Sequence, residues 1–404
     1  MWQIPPLVLY IIFFIDFFIA FFFLIAFIKI RPDNKVKKEE DFELTFVIPA
    51  FNCEKIIEKT IDSIKKARYN QDKIKIIIVN DSSTDNTLYV MNKIAKKYKG
   101  ITIFTKKHGG KANSLNFGLK KAGTELVAVL DADTLIKEDL LEKAIPLFSE
   151  ETMAVTARFK PLNNNKIIER LQDMEYAFAG FSRLIVGNLN SLPVAPAFTI
   201  FKRKFFLKYG YFDEGNLTED LEMGLRIQSA NYNVAYVTHS YATTDVPNNL
   251  KKLLRQRLRW SYGTLYNYAK YKKLFFNRKY GDLGIFILPI SFLSIFLISL
   301  VFLFGVYSLF AWIVDYIRMF SVGWMFTLDF DIGKFLIRMT NLQIILFFVT
   351  IIIALVMLFL VNYELQEKLK LRYYVLYLTV FLWMLAIFYI LSIAYFVIKK
   401  KPEW

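Results

Sequence analysis

An apolar run from Leu7 to Ile30, broken only by Asp16 and Lys29, precedes a long charged stretch (40–250), and three further apolar runs follow it. The later runs are Gly284–Val314, Leu342–Val361 and Tyr373–Ile398. Each is long enough to cross a bilayer, which takes about 20 apolar residues. With 55% hydrophobic residues and a net charge of +16, the 404-residue chain is too apolar for a soluble protein and too charged to lie wholly in a membrane. It therefore divides into an N-terminal transmembrane helix (1–30), a domain (40–250), amphipathic interface helices (251–283) and a C-terminal transmembrane region (284–398).

Charge sets the expected orientation. No basic stretch precedes the first run and no small-residue cleavage site follows it, which argues against a cleaved signal peptide. Lys29, Arg31, Lys35, Lys37 and Lys38 cluster at its far end, so that end and the domain after it are expected in the cytoplasm of a multi-pass plasma-membrane protein. Asp16 inside the span reads by default as a partner or pathway residue; near one end of a tilted helix it is expected to reach the interface instead. Three crossings after the domain would leave Lys399-Lys400-Lys401 outside, against the same rule. One later run is therefore expected to be interfacial, re-entrant or a bent hairpin. Segment Phe320–Arg338 mixes Trp, Phe, Asp and Lys and reads as interfacial or extracellular. Lys251, Lys252, Arg255, Arg257 and Arg259 concentrate basic charge at a membrane edge, where anionic lipid is the expected partner. No nucleic-acid motif accompanies the charge, so no nucleic-acid partner is expected. A single cysteine, Cys53, excludes an internal disulfide and a multi-cysteine metal site.

Within the charged stretch, apolar runs alternate with amphipathic ones. Strands are predicted at Leu44–Pro49, Ile74–Val79, Ile101–Thr105 and Leu126–Leu130. Helices are predicted at Glu54–Ala67, Asn86–Lys99 (capped by Asp85 or Thr84), Lys111–Ala122 (ended by Gly123) and Glu138–Phe148. This alternation predicts an open, largely parallel α/β sheet, in which ligands bind beyond the carboxyl ends of the strands. Three polar clusters fall there: Pro49-Ala50-Phe51-Asn52, Asn80-Asp81-Ser82-Ser83 and Asp131-Ala132-Asp133.

Each cluster carries two readings. Asp131 and Asp133, two residues apart at a strand end, suit one hard cation such as Mg²⁺ or Mn²⁺ bridging to phosphate, or else a strand-end turn. Asp81 can accept hydrogen bonds from a ribose or base, while Asp85 is explained by an Asx turn and helix cap. In His108-Gly109-Gly110-Lys111 the glycines let backbone approach a ligand and Lys111 can meet phosphate at a helix start; the alternative is a flexible loop. Thr218-Glu219-Asp220 opens a helix over Leu221–Ala230. Thr218 suits its N-cap, and Glu219 or Asp220 suits a general base. Gln256-Arg257-Leu258-Arg259-Trp260 offers guanidinium forks for a diphosphate and an aromatic face for a sugar ring, or else forms a basic interfacial helix.

The order of these motifs is similar to that of the membrane-embedded processive glycosyltransferases of family 2, which include cellulose, chitin and hyaluronan synthases; the poly-β-1,6-N-acetylglucosamine synthases look most alike. The matching stretches are T-F-V-I-P-A-F-N (45–52), V-N-D-S-S-T-D-N-T (79–87), G-G-K-A-N-S-L-N-F-G (109–118), L-D-A-D-T (130–134), T-E-D (218–220) and Q-R-L-R-W-S-Y-G (256–263). The resemblance implies a GT-A fold, a Rossmann-like sheet inserted between transmembrane helices, and an inverting displacement with Mg²⁺ or Mn²⁺. It implies donor binding by Pro49, Asp81, Lys111, Asp131, Asp133, Gln256 and Arg259, with Asp133 and Asp131 on the metal. Asp220 would be the base beside Glu219, and Trp260 would hold the acceptor's terminal sugar. Asp245-x-Pro247 resembles the acidic turn that precedes the last motif.

Two departures stand out. Asn80-Asp81 replaces a paired Asp-Asp, and Val194-Ala195-Pro196-Ala197-Phe198 replaces a small Ser-Gly pair lining the acceptor path, which puts Ala195 and Pro196 on that path. The expected reaction is polymerisation from a UDP-sugar, first N-acetylglucosamine, onto a growing glycan that is exported, with room for a small membrane accessory subunit. The alternatives are single addition to a polyprenyl phosphate or glycolipid, and a non-catalytic membrane scaffold or transporter.

Overall fold

The computed structural model describes residues 42–321 and 342–402 and a few helical positions within 18–28. Most of Leu7–Ile30, with Asp16, and most of Phe320–Arg338 lie outside the described residues. The chain divides at 290/291 and at 390/391 into two compact units.

The larger unit is built on an eight-stranded sheet in the order β3-β2-β1-β4-β7-β6-β8-β5. Strands β1 (Leu44–Ala50), β2 (Ile74–Asn80), β3 (Ile101–Thr105) and β4 (Leu126–Leu130) are mutually parallel. β1, β2 and β4 are almost continuously buried, as strands covered on both faces must be. Helix α1 (Ile57–Lys65) turns Ile57, Ile61 and Ile64 into one core, shared with Met91 and Ile94 of α2 (Thr87–Lys97). Helix α3 (Lys111–Lys121) lays Ala112, Leu115 and Leu119 on the opposite face. Asp85 accepts the Thr87 N–H at 3.0 Å, which realises the expected Asx turn before α2.

The other half of the sheet is mixed. β7 (Phe198–Lys202) runs antiparallel to β4 and to β6 (Thr152–Pro161). β6 is parallel to β8 (Asn233–Thr244), and β5 (Thr134–Ile136) closes the edge antiparallel to β8. The expected helix over Glu138–Phe148 is shorter: α4 covers Leu140–Ala144 and gives way to a 3₁₀ turn containing Pro146, which has no N–H to continue the ladder. Gly123 does not end α3; Ala122 already leaves the helix in an extended conformation. Helix α5 (Ile167–Asn188) and helix α6 (Arg203–Tyr209) follow β6 and β7. Helix α7 (Glu219–Ser229) starts two residues earlier than expected, and α8 (Leu250–Lys270) carries the Gln256–Trp260 motif.

In the second unit, α9 (Leu288–Ser321), α10 (Leu342–Glu364), α11 (Leu371–Leu376) and α12 (Leu382–Val397) are apolar. Two helical stretches among the described residues are long and apolar enough to cross a membrane: Leu283–Ser321 and Leu371–Val397, with mean hydropathy 2.7 and 2.4. The described apolar part of α10, Phe348–Glu364, falls short of that length. Past residue 390 the chain rejoins the larger unit: the Phe396 and Tyr262 rings lie 6.0 Å apart, and Lys401 lines a small cavity with Gly215, Leu217, Gly263 and Tyr266.

Candidate active site

The carboxyl ends of β1 and β2 lie side by side, Pro49 opposite Val79 and Ala50 opposite Asn80. Pro49 is half-buried there. Asp81 follows β2 and is 3% exposed. Its carboxylate accepts from Lys106 Nζ (2.6 Å), Gly109 N–H (3.0 Å) and Gly110 N–H (2.8 Å), with His108 Nδ1 at 3.0 Å. Burial alone would raise this carboxyl. The Lys106, Gly110 and Gly109 hydrogen bonds override it and hold Asp81 below the usual carboxylate range. Asp81 thus organises the 106–110 loop. Gly110 takes φ +84°, a conformation that favours glycine, and the chain then enters α3 at Lys111.

Lys111 is the hub. Its ammonium lies 2.7 and 2.9 Å from the two Asp131 oxygens and 3.2 Å from Glu219 Oε1. Burial opposes its charge, but Asp131 and Glu219 override that and hold it well above the ordinary lysine range. A strand end, a glycine loop and the start of α7 therefore meet on one side chain. Asp133 stands beside this group. Burial first, then the Asp131 charge, push its carboxyl up to about 6, and Asp245 acts in the same direction.

Asp220, in the first turn of α7, is half-buried and accepts the Leu221 N–H at 2.8 Å. Burial and the Glu219 charge push its carboxyl up to about 6, against the opposing pull of Lys111 and Arg259. The 194–198 segment stitches the two acidic motifs together. Ala195, buried, gives its N–H to the Asp220 carbonyl at 3.2 Å, while the Ala197 carbonyl accepts the Asp131 N–H at 3.3 Å. Pro196 between them is half-buried, and its carbonyl accepts from Thr199 Oγ1.

The expected N-cap role of Thr218 is corrected. Its hydroxyl makes no cap bond, because it instead accepts from Asn267 Nδ2 of α8 at 2.9 Å. Arg257 also differs from its sequence reading as a phosphate fork. It is 3% exposed and paired with Glu175 of α5, and Gln256 Oε1 accepts from it at 2.5 Å. Its guanidinium covers one face of Trp260, 4.2 Å from the ring centroid. Gln256, Arg259 and Trp260 remain half-buried. Lys106, Glu175 and Asn267 carried no signal in the sequence, because each acts through a partner far along the chain.

Among the described residues no group of three or more His, Cys, Asp or Glu is arranged to hold a metal. Asp131 and Asp133 supply two carboxylates, and burial and the Asp131 charge together raise the Asp133 carboxyl. Two carboxylates completed by phosphate oxygens and water are a normal Mg²⁺ or Mn²⁺ set, so this donor set fits a cation that is shared with a nucleotide.

Residues 42–263 match the sequence profile of the family described as "Glycosyltransferase like family 2". The chain belongs to this family. It is a glycosyltransferase, and its sheet is the GT-A fold. It is 32% identical over 239 residues to a poly-beta-1,6-N-acetyl-D-glucosamine synthase of Staphylococcus aureus (strain COL), covering 58% of this chain and 57% of that one. To the enzyme of the same name from Staphylococcus epidermidis it is 30% identical over 268 residues, 64% of each. The matched part thus spans less than two thirds of these curated relatives. A mannosyltransferase from Pyrobaculum calidifontis, solved in complex with GDP-Man and Mn2+, has the same fold. Its TM-score is 0.61 over 97% of this chain and 99% of that one, at 18% identity.

Proposed function

We propose that this glycosyltransferase is a membrane-embedded, inverting, processive enzyme that polymerises a sugar, first N-acetylglucosamine, from a UDP-sugar at the cytoplasmic face. The observation that carries the proposal is the convergence of Asp131, Glu219 and, one residue on, Asp220 around Lys111. Asp81 and its loop, with Pro49, hold the nucleoside end of the donor. Asp131 and Asp133 would hold Mg²⁺ or Mn²⁺, which would supply positive charge to offset the diphosphate. Lys111, Gln256 and Arg259 bind the diphosphate oxygens. Trp260 offers its uncovered face to the acceptor's terminal sugar, and the Ala195-Pro196 segment borders the acceptor path.

The chemistry is one displacement. Asp220 takes the proton of the acceptor hydroxyl as that oxygen bonds to the anomeric carbon. The bond from that carbon to the diphosphate breaks on the opposite face, so the configuration inverts and UDP leaves. Glu219 keeps Lys111 and Asp220 in register. Buried Ala195 N–H fixes the Asp220 backbone from behind.

Membrane embedding is supported by Leu283–Ser321, which exposes Leu309, Phe310, Trp312 and Ile317, and by Leu371–Val397, which exposes Val375, Val380, Trp383 and Ile387. With the long N-terminal run they frame the 40–250 domain and its 251–283 interface helices. The packing of residues 391–402 on the larger unit supports an even number of crossings between the two, so that Lys399–Lys401 returns to the domain's side. A second reading, one sugar added to a polyprenyl phosphate or glycolipid, draws on the Val194–Phe198 departure.

Membranes holding the full chain, supplied with Mn²⁺ and a panel of radiolabelled UDP-sugars, are expected to release UDP and build a ladder or polymer from one of them. Product sized at a single added sugar sinks the processive reading. Full turnover by Asp220→Asn sinks the assigned base.

A further inference from the structure

The C-terminal half of α8 meets the turn that leads into Asp220 through a closed polar network. Asn267 is fully buried, and Asn216 and Thr218 are each 7% exposed. The two amides face each other: Asn216 Nδ2 donates to Asn267 Oδ1 at 2.7 Å, and Asn267 Nδ2 donates back to Asn216 Oδ1 at 3.2 Å. Asn267 Nδ2 also lies 2.9 Å from Thr218 Oγ1 and 3.3 Å from the Thr218 carbonyl. The remaining capacity of Asn216 Oδ1 is used by the Thr218 N–H at 3.1 Å. Both backbone polar groups of Thr218 and its hydroxyl are therefore committed to this network.

Helical spacing gives the network its reach. Gln256, Trp260, Gly263 and Asn267 fall four, three and four residues apart, which is one face of α8. Gly263 is where that face touches the same turn: a Cβ there would lie 2.3 Å from Thr218 Oγ1. One rigid row thus bears the acceptor motif at one end and the Thr218 turn at the other, Trp260 and Asn267 being about 10 Å apart along the axis at 1.5 Å per residue. An apolar pair would pack this contact without the cost of burying two amides. A reciprocally hydrogen-bonded amide pair favours a single register, because a slip strands a buried donor or acceptor.

We propose that Asn267 is a positioning residue: by holding Thr218 it sets the Asp220 carboxylate against the acceptor held by the Gln256–Trp260 motif. The proposal rests on the reading of Asp220 as base and Trp260 as acceptor platform. It predicts a defect in turnover that exceeds any loss of donor binding: Asp81, Lys111, Asp131 and Asp133 lie on other elements, and only Gln256 and Arg259 of the proposed donor ligands share α8 with Asn267.

The test uses the full chain in membranes, with the preferred UDP-sugar and Mn²⁺. Asn267→Ala and the near-isosteric Thr218→Val are expected to lower kcat roughly ten- to a hundred-fold, the effect of a misplacement of about 1 Å, with donor KM within about twofold. The double variant is expected to be no worse than the poorer single one, because both remove one contact. Thr218→Val keeps the side-chain shape and gives the answer where Asn267→Ala does not accumulate. Unchanged kcat in either variant, a matched loss in donor affinity, or fully additive defects overturns the proposal. Inactive wild-type membranes, or an active Asp220→Asn, overturn the underlying reading instead.

Discussion

Replacing Glu219 by Gln tests how the base is tuned. Asp220 rises from an ordinary 3.8 to about 6, and the causes are burial first and the neighbouring Glu219 charge second. The whole rise is about two pH units (6 − 3.8). Burial is the larger of the two raising causes and the Glu219 charge the second, and both act against Lys111, the Leu221 N–H and Arg259. A base works only when ionised. Wild-type turnover is therefore expected to fall as pH drops through about 6. In Glu219→Gln the repulsion is gone, the Asp220 carboxyl titrates lower, and the acid limb moves to lower pH than in the wild type. The assay is the initial rate of UDP release between about pH 4.5 and 8 at saturating donor, where kcat reports groups in the loaded enzyme. Asp133 also titrates near 6. Its protonation competes with the cation, so a limb that shifts with Mn²⁺ concentration belongs to Asp133, and one that does not belongs to Asp220. An acid limb in Glu219→Gln at the wild-type pH, or above it, refutes the electrostatic argument.

Glu175→Gln removes the counter-charge of buried Arg257 and is expected to destabilise the domain by about 3 kcal/mol, read as a fall in Tm of roughly 6–12 °C for a domain of this size. Glu175→Met with Arg257→Met is expected to recover most of that loss while leaving Trp260 without its covering guanidinium; a double variant as unstable as the single refutes the pairing. A reporter fused after Lys401 is expected to show the same sidedness as one placed in the 40–250 domain; opposite sidedness refutes the even-crossing arrangement.

Half of the sheet was legible because its order is local. β3 and β4 fall on the predicted residues, and β1 and β2 extend one residue further, since each is a short apolar run, covered in β1, β2 and β4 by helices close by in sequence, while β3 is the half-exposed edge. The mixed half was not read at all. β6 and β8 pair across a long stretch of chain with register shifts, and β8 is only partly buried, so neither shows a clean two-residue alternation. β5 is three residues long and exists because Thr134–Ile136 meets Ala242–Thr244. At the site, motif order located the acidic side chains but not their partners. Nothing in V-N-D-S-S shows that Lys106 takes one Asp81 oxygen, and Thr218 before two acids reads as a helix cap until Asn267 is seen on its hydroxyl. Arg257 and Arg259 look equivalent in sequence. The first is paired with Glu175 of α5, while the charge of the second acts to lower the Asp220 carboxyl.

These contacts make α8 more than a surface on which an acceptor rests. Arg257 ties it to α5, and Asn267 ties it to the turn before α7. Farther along, Lys270 and the Tyr271 hydroxyl reach Glu222, 1% exposed on α7, at 3.0 and 2.6 Å. Glu222 is also paired with Arg226 on its own helix, so no oxygen of that buried carboxylate is left to water alone. Three polar links therefore join α8 and the residue after it to α5, to the turn before α7 and to α7 itself. Removing Glu175 from the buried Arg257 pair costs several kcal/mol. The links through Asn267 and Glu222 oppose sliding of α8 against α7, and the Arg257 link opposes sliding against α5. On the proposed processive reading, the geometry of acceptor and base stays fixed over successive additions if the glycan moves past α8, rather than α8 carrying the glycan along.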